Sequence, residues 1–308
     1  MNPLLATMGT KLTERWLNLL VLPGALFLAV AAAGTELGHR RWHDLDRLRT
    51  TLDELAARPA MDRTGTAVLL VAGALLAGAA ASLAAQFLGS AIQLYWLRSA
   101  RDPLSYALVD RRRRKWRRRD GELEAAFRRA TPLAAEDGEG VTVAPRSERR
   151  IQALTAARDR VAVREPVRPT WYGDRMQAAA DRVQAAYGMD LAALWPRLWL
   201  ILADPTGQQI RSVRTSFDAA ARLTAWAVGY ALLAFWWWPA ALIALGCGAV
   251  GRSRARSALD SLAELIEAAV DVHGRELAER VGLVGTDSTG LLRHETGDQM
   301  SELFRKAD

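Results

Sequence analysis

Three long apolar stretches, Trp16–Gly34, Thr66–Leu97 and Ala219–Gly251, constrain this chain more than any other feature. Each is near or above the roughly 20 residues that a helix needs to cross the hydrocarbon core of a bilayer. Arg222, close to the start of the third, is the only charge in any of them. The pattern predicts an all-α integral membrane protein, a helical bundle with an α-helical cytoplasmic domain. Half of the 308 residues are hydrophobic, yet the mean hydropathy is −0.03, so polar segments offset the apolar ones. The start of the chain carries Lys11 and Arg15 before its apolar run, with no small-residue cleavage site. It reads as a retained helix and not as a removed signal peptide.

Orientation follows from the arginines. Residues 98–119 hold ten basic side chains against Asp102 and Asp110, a local charge of +8 in a chain whose total is +7. Basic residues beside a membrane helix stay on the cytoplasmic side. The second helix therefore ends inside, the N-terminus lies inside, and loop 35–64 lies outside. The third stretch, 33 residues long, is too long for one upright span and is interrupted by Trp236, Trp237, Trp238 and Pro239. Tryptophan favours the membrane interface and proline favours the first turn of a helix. A tight hairpin, 219–236 and 239–255, keeps Arg252, Arg254 and Arg256 inside. A single kinked span or a re-entrant loop would be the alternatives. The expected organisation is thus four spans. Residues 1–97 supply two spans and the outer loop, 98–218 a cytoplasmic helical domain, 219–255 the hairpin, and 256–308 a cytoplasmic helix and tail.

Within the soluble parts, helical spacing is expected at 45–55, 120–130, 147–163, 174–187, 191–202 and 253–281. The 253–281 helix carries one apolar stripe, Leu259, Leu262, Ile266, Val270 and Leu277, that this chain or a neighbouring copy must cover. Single-cysteine usage, Cys247 within an apolar stretch, excludes a disulfide framework.

Four local features are candidates for function. The cluster Arg111, Arg112, Arg113, Arg114, Lys115, Trp116, Arg117, Arg118 and Arg119 lies about a dozen residues past the membrane exit. Anionic lipid head groups there attract each cation by about 1 kcal/mol. The competing reading, nucleic acid or an acidic protein, is the weaker because the membrane is adjacent. On the second apolar helix, Gly78, Ser82, Gln86 and Ser90 recur every four residues. Such a row serves either close helix packing or, in an oligomer, the lining of a water-filled path. His39 and His43 have the spacing of two metal ligands on one helix face, though an ordinary polar face is the simpler reading and no metal is assigned. Arg197, in an apolar segment too short to span, needs a partner, and Asp190 or Asp174 is the natural candidate for a structural pair, with an anion site as the alternative.

Residues 168–204 resemble a signature of multipass bacterial membrane proteins, actinobacterial ones above all, of the form Pro-Thr-x-x-Gly-[Asn/Asp], Tyr-Gly-x-Asp, Trp-Pro-Arg-Leu. It falls here on Pro169, Thr170, Gly173, Asp174, Tyr187, Gly188, Asp190, Trp195, Pro196, Arg197 and Leu198. The resemblance implies a multipass topology and lends no activity. Physically, Asp174 is placed to cap one helix and Gly188 to end it.

No Gly-x-Ser-x-Gly, His-Glu-x-x-His, Walker or kinase motif occurs. The expected protein is therefore a non-enzymatic, self-associating membrane scaffold, signalling or regulatory protein without cofactors. Its expected partners are the bilayer, a second copy and a cytoplasmic protein; an oligomeric pore is the alternative. Topology is directly testable with single cysteines at Thr50 and Gly290 in a Cys247→Ala background. An impermeant thiol reagent added to intact cells should label position 50 and spare 290. Labelling of 290 from outside would replace the hairpin by one kinked span.

Overall fold

The computed structural model describes residues 21–40, 42–57, 64–135, 145–285 and 292–305. Among them every regular element is a helix: α1 Leu22–Leu37, α2 Leu45–Ala56, α3 Thr64–Leu97, α4 Pro103–Ala135, α5 Pro145–Asp159, α6 Trp171–Tyr187, α7 Leu191–Ile201, α8 Asp204–Leu233, α9 Pro239–Arg280 and α10 His294–Phe304. Residues 16–20, the start of the first apolar stretch, fall outside the described residues, as do Lys11 and Arg15. One described helix is long and apolar enough to cross a membrane, within Val68–Leu97, with a mean hydropathy of 2.2. The chain divides into two compact units, one of residues 1–93 and 217–255, the other of 94–216 and 256–308.

In the first unit, four helical segments pack through small residues. A Cβ on Gly24 of α1 would collide with the Gly78 carbonyl of α3 and stand 2.8 Å from Ser82 Oγ, while one on Gly78 would stand 3.1 Å from Ala25 N. Further along α3, Gly89 faces the Arg222 backbone of α8, and Gln93 Nε2 donates to Asp218 Oδ1 at 2.8 Å. Phe27 of α1 packs against Trp226 and Tyr230 of α8 at ring separations of 5.4 and 5.2 Å. Near the end of α1, Gly34 meets Trp237. Thus α1 and α8 run in the same direction and α3 runs against α8.

The chain turns at 234–238, and Pro239 opens α9. Ala240 then packs with Tyr230 and Leu233, Gly248 approaches Ala227, and Gly251 lies against Thr224 and Ala220. These pairings make α8 and α9 an antiparallel hairpin. Proline fits there because the first helical position needs no N–H donor. The tryptophans crowd the turn: Trp42 and Trp238 rings sit 5.1 Å apart, edge to face. Unlike the segment boundaries expected from sequence, each arm of the hairpin is the end of a longer helix. Polar 204–218 continues into α8, and α9 runs 42 residues without a break.

The row on α3 divides. Gly78 and Ser82 are buried against α1, Gln86 is half-buried, and Ser90 is exposed, with its hydroxyl bonded to the Gln86 carbonyl. The two histidines of the 35–64 segment do not share a helix face: His39 lies in the turn after α1 and His43 in the turn before α2. Asp44 is held there as a cap, its Oδ1 accepting from Arg47 N at 3.1 Å.

Ser82 is 3% exposed, and its hydroxyl finds no hydrogen-bond partner among the described residues. Replacing it with leucine pushes bulk into the α1–α3 contact, at a cost of about 1–3 kcal/mol. A lowered thermal midpoint in detergent checks this. An unchanged midpoint would mean that the position faces open space.

Candidate functional site

The second unit is organised around arginines, and the basic cluster supplies the first of them. Helical spacing predicts a helix over 120–130, but the helix begins at Pro103, so the cluster lies inside α4. Asp102 caps it, accepting from Ser105 N at 3.3 Å and from Ser105 Oγ at 2.8 Å. The Ser105 hydroxyl, with Arg98 beside it, holds the Asp102 carboxyl below its usual range against a small opposing effect of burial. Arginine has high helix propensity, so a run of arginines continues the helix well.

Helical periodicity then sorts the cluster. Ser105, Val109, Arg112, Trp116, Arg119, Leu123, Ala126 and Ala130 advance by three or four and face inward. Arg112 Nη1 binds the Asp174 carboxylate and the Arg168 carbonyl (2.6 Å), while Nη2 donates to the Val161 carbonyl at 2.6 Å. Its neighbour Arg113 donates to the Pro166 carbonyl, and Trp116 Nε1 to the Ala162 carbonyl at 2.9 Å. These three members of the expected lipid-binding set therefore hold the 160–170 connector and are not free for head groups. Arg117 pairs with Glu165 at 2.6 Å. By contrast Arg111, Arg114, Lys115 and Arg118 are exposed.

Asp174 is the counterpart. Only 8% exposed, it accepts from Val167 N (2.8 Å) and Arg168 N (2.7 Å) as well as Arg112. A buried carboxylate with three donors is stable only because all three are present. The cap of α6 is Thr170, whose Oγ1 accepts from Gly173 N at 3.1 Å and whose hydroxyl bonds the Trp96 carbonyl. Asp174, expected as the cap, instead lies in the first turn and braces the connector. Trp96 also stacks on Tyr172, with centroids 4.3 Å apart.

From there α6 runs beside α9 in the same direction, joined by a ladder. Arg175 Nε meets Asp260 at 2.6 Å, Arg182 forks onto Glu267, and the Tyr187 hydroxyl donates to Asp271 at 2.9 Å. The stripe Leu259, Leu262, Ile266, Val270 and Leu277 is buried within the chain. No neighbouring copy is needed to cover it.

At the far end of α6, Gly188 has φ +70 and its N–H returns to the Gln184 carbonyl. Glycine is needed twice over, because a Cβ there would also strike the His294 carbonyl and Asp298. Asp190 caps α7 through Ala192 N at 3.0 Å, and its other oxygen takes Arg305 at 2.7 Å. The expected Arg197–Asp190 pair does not form. Seven residues put Arg197 about 10 Å further along the same helix. It donates instead to the Ala193 carbonyl and lies 5.1 Å over the Phe304 ring. Arg305 was not legible as the partner, being 115 residues away. Gly297 and Ser301, one turn apart on α10, could have signalled a close contact: a Cβ on Gly297 would hit the Tyr187 carbonyl, and Ser301 Oγ accepts from Asp190 N at 2.8 Å.

Helix α7 buries Leu191, Leu194 and Leu198 and exposes Ala192, Pro196 and Leu200, the last 81% exposed, with Trp195 and Trp199 half-buried beside them. Arg211 covers one edge of this stripe, 5.6 Å from the Trp199 ring. A helix apolar on every side calls for a cover on both.

Among the described residues no group of three or more His, Cys, Asp or Glu side chains is placed to hold a metal ion. Compared with known proteins, the chain matches no family model, no curated protein and no solved structure.

The Arg305 hydrogen bonds, aided by Ala192 N–H and opposed by burial, hold the Asp190 carboxyl below its usual range. A depressed folded-state pKa contributes stability above the unfolded value of about 3.9 that is lost as pH falls through that region. Asp190→Ala should cost about 1–2 kcal/mol near neutral pH, as lost caps do. Below about pH 4 the difference from wild type should shrink. Chemical denaturation at the two pH values measures it, and a gap independent of pH would show that the carboxylate charge contributes nothing.

Proposed function

We propose that this chain is a non-enzymatic protein of the bacterial cytoplasmic membrane, spanning it four times with both termini inside. Its helical cytoplasmic domain then serves as a self-associating scaffold, or as a signalling or regulatory platform. The four segments of the first unit alternate in direction, as successive spans must. Their outward faces carry Leu26, Val68, Leu69, Leu76, Phe87, Leu232 and Leu245, each more than half exposed. Such surfaces are stable facing lipid and costly facing water. Close contacts through Gly24, Gly78, Gly89 and Gly251 match the way membrane helices associate, where small residues permit backbone approach.

The observation that carries the scaffold reading is the outward stripe of α7. A second copy of the chain is the fitting occupant. The stripe is far smaller than the roughly 800 Å² per partner of a stable interface. It suffices only where confinement, here to a membrane, raises the effective concentration. The pore alternative loses ground because Gly78 and Ser82 are turned toward α1, leaving Gln86 and Ser90 as its only lining candidates.

Leu200→Asp tests this reading. The native mass of wild type in mild detergent should exceed that of one chain and fall to it in the variant, with helicity retained. A wild type that stays monomeric in reconstituted bilayers, with the variant unchanged, would contradict it.

A further inference from the structure

The inward residues of α4 are spoken for; the outward ones are not. Leu104, Ala107, Arg111, Arg114 and Arg118 advance by three or four along an exposed face, with Lys115 exposed beside them, apolar at the start and cationic beyond. Leu104 is 70% exposed. Two carboxylates border the face: Asp110 pairs with Arg114 at 2.6 Å, and Glu122 is shared between Arg118 (3.3 Å) and the inward-leaning Arg119 (3.0 Å). Arg111 and Lys115 enter no ion pair among the described residues, so the face keeps a net positive charge.

We infer that this face is a foot resting on an anionic bilayer surface, with Leu104 and Ala107 at the head-group boundary and the four cations on lipid phosphates. The inference rests on the reading of α3 as a span. Leu97 ends α3 and Pro103 starts α4, and the five residues between include Arg98 and Arg101. A helix that begins so soon after a membrane exit meets the head groups first, and cations there are drawn to anionic lipid. The last turn of α3 is also fixed to the domain that holds α4. Arg168 donates to the Leu97 carbonyl at 3.1 Å, and Thr170 bonds the Trp96 carbonyl. Those anchors leave the outward residues of α4 unused. Nucleic acid fits less well: phosphate contacts would use the cations, but Leu104 and Ala107 offer base edges neither hydrogen bonds nor stacking.

The test uses the full chain with Leu104→Cys in a Cys247→Ala background, carrying an environment-sensitive fluorophore at position 104. The protein is placed in nanodiscs of phosphatidylcholine alone or with one third phosphatidylglycerol. The anionic discs should shift the emission to the blue and cut quenching by neutral acrylamide at least about twofold, as expected for a charge-drawn interfacial segment. Molar salt, which shortens screening to about 3 Å, should abolish the difference in otherwise unaltered protein. Arg111→Gln with Lys115→Gln, the two cations free of ion pairs, should weaken it, whereas Arg128→Gln with Arg129→Gln should not. Identical emission and quenching in both discs would overturn the foot while leaving the spans intact. A shift produced by an oligonucleotide in neutral discs, and not by anionic lipid, would make the face a nucleic-acid surface. Failure of the chain to enter discs of either kind would overturn the membrane reading itself.

Discussion

The buried pair Arg112–Asp174 is the contact on which the rest of the second unit depends. It ties together three pieces of chain: the middle of α4, the proline-bounded connector 160–170, and the first turn of α6. A buried ion pair adds little over a well-packed apolar pair, because both charges must leave water. Its consequence is specificity. With Asp174 satisfied by one guanidinium and two backbone amides, the connector has a single course. That course sets α6 beside α9 in the register that joins Arg175 to Asp260 and Arg182 to Glu267.

A different constraint governs the other unit, where there are few charges to pair. Helices there approach through glycine at five places: Gly24 with Gly78, Gly34 with Trp237, Gly89 with Arg222, Gly229 with Phe27, Gly251 with Thr224. Under the four-span reading proposed above, apolar side chains gain little by leaving one apolar surrounding for another, so close backbone approach and dispersion would carry the association.

Apolar length and the Trp-Trp-Trp-Pro break made the α8–α9 hairpin legible, because both are local properties of the chain. The stop at Gly188 was legible for the same reason, whereas the cap expected at Asp174 falls to Thr170. What sequence could not resolve was the partner of each charge. Arg111 and Arg112 are adjacent and chemically identical, yet helical periodicity turns one to solvent and the other into the fold. A run of nine residues read as one basic patch conceals that division. Arg197 and Asp190 looked paired by proximity along the chain, whereas α10, more than a hundred residues later, brings Arg305 to Asp190. Pairings at such separations follow from how helices stack, which no local pattern records.

The division of the basic cluster is the central claim, and comparing neighbouring substitutions tests it most directly. Unfolding free energies of full-length Arg112→Gln and Arg111→Gln, measured under identical detergent and salt, should differ sharply. Removing one partner of a buried pair costs about 3–5 kcal/mol, whereas an exposed substitution away from such features stays within about 0.5 kcal/mol. A large loss for Arg112→Gln with almost none for Arg111→Gln is the expected result. Equal losses, or a larger one at Arg111, would contradict the account.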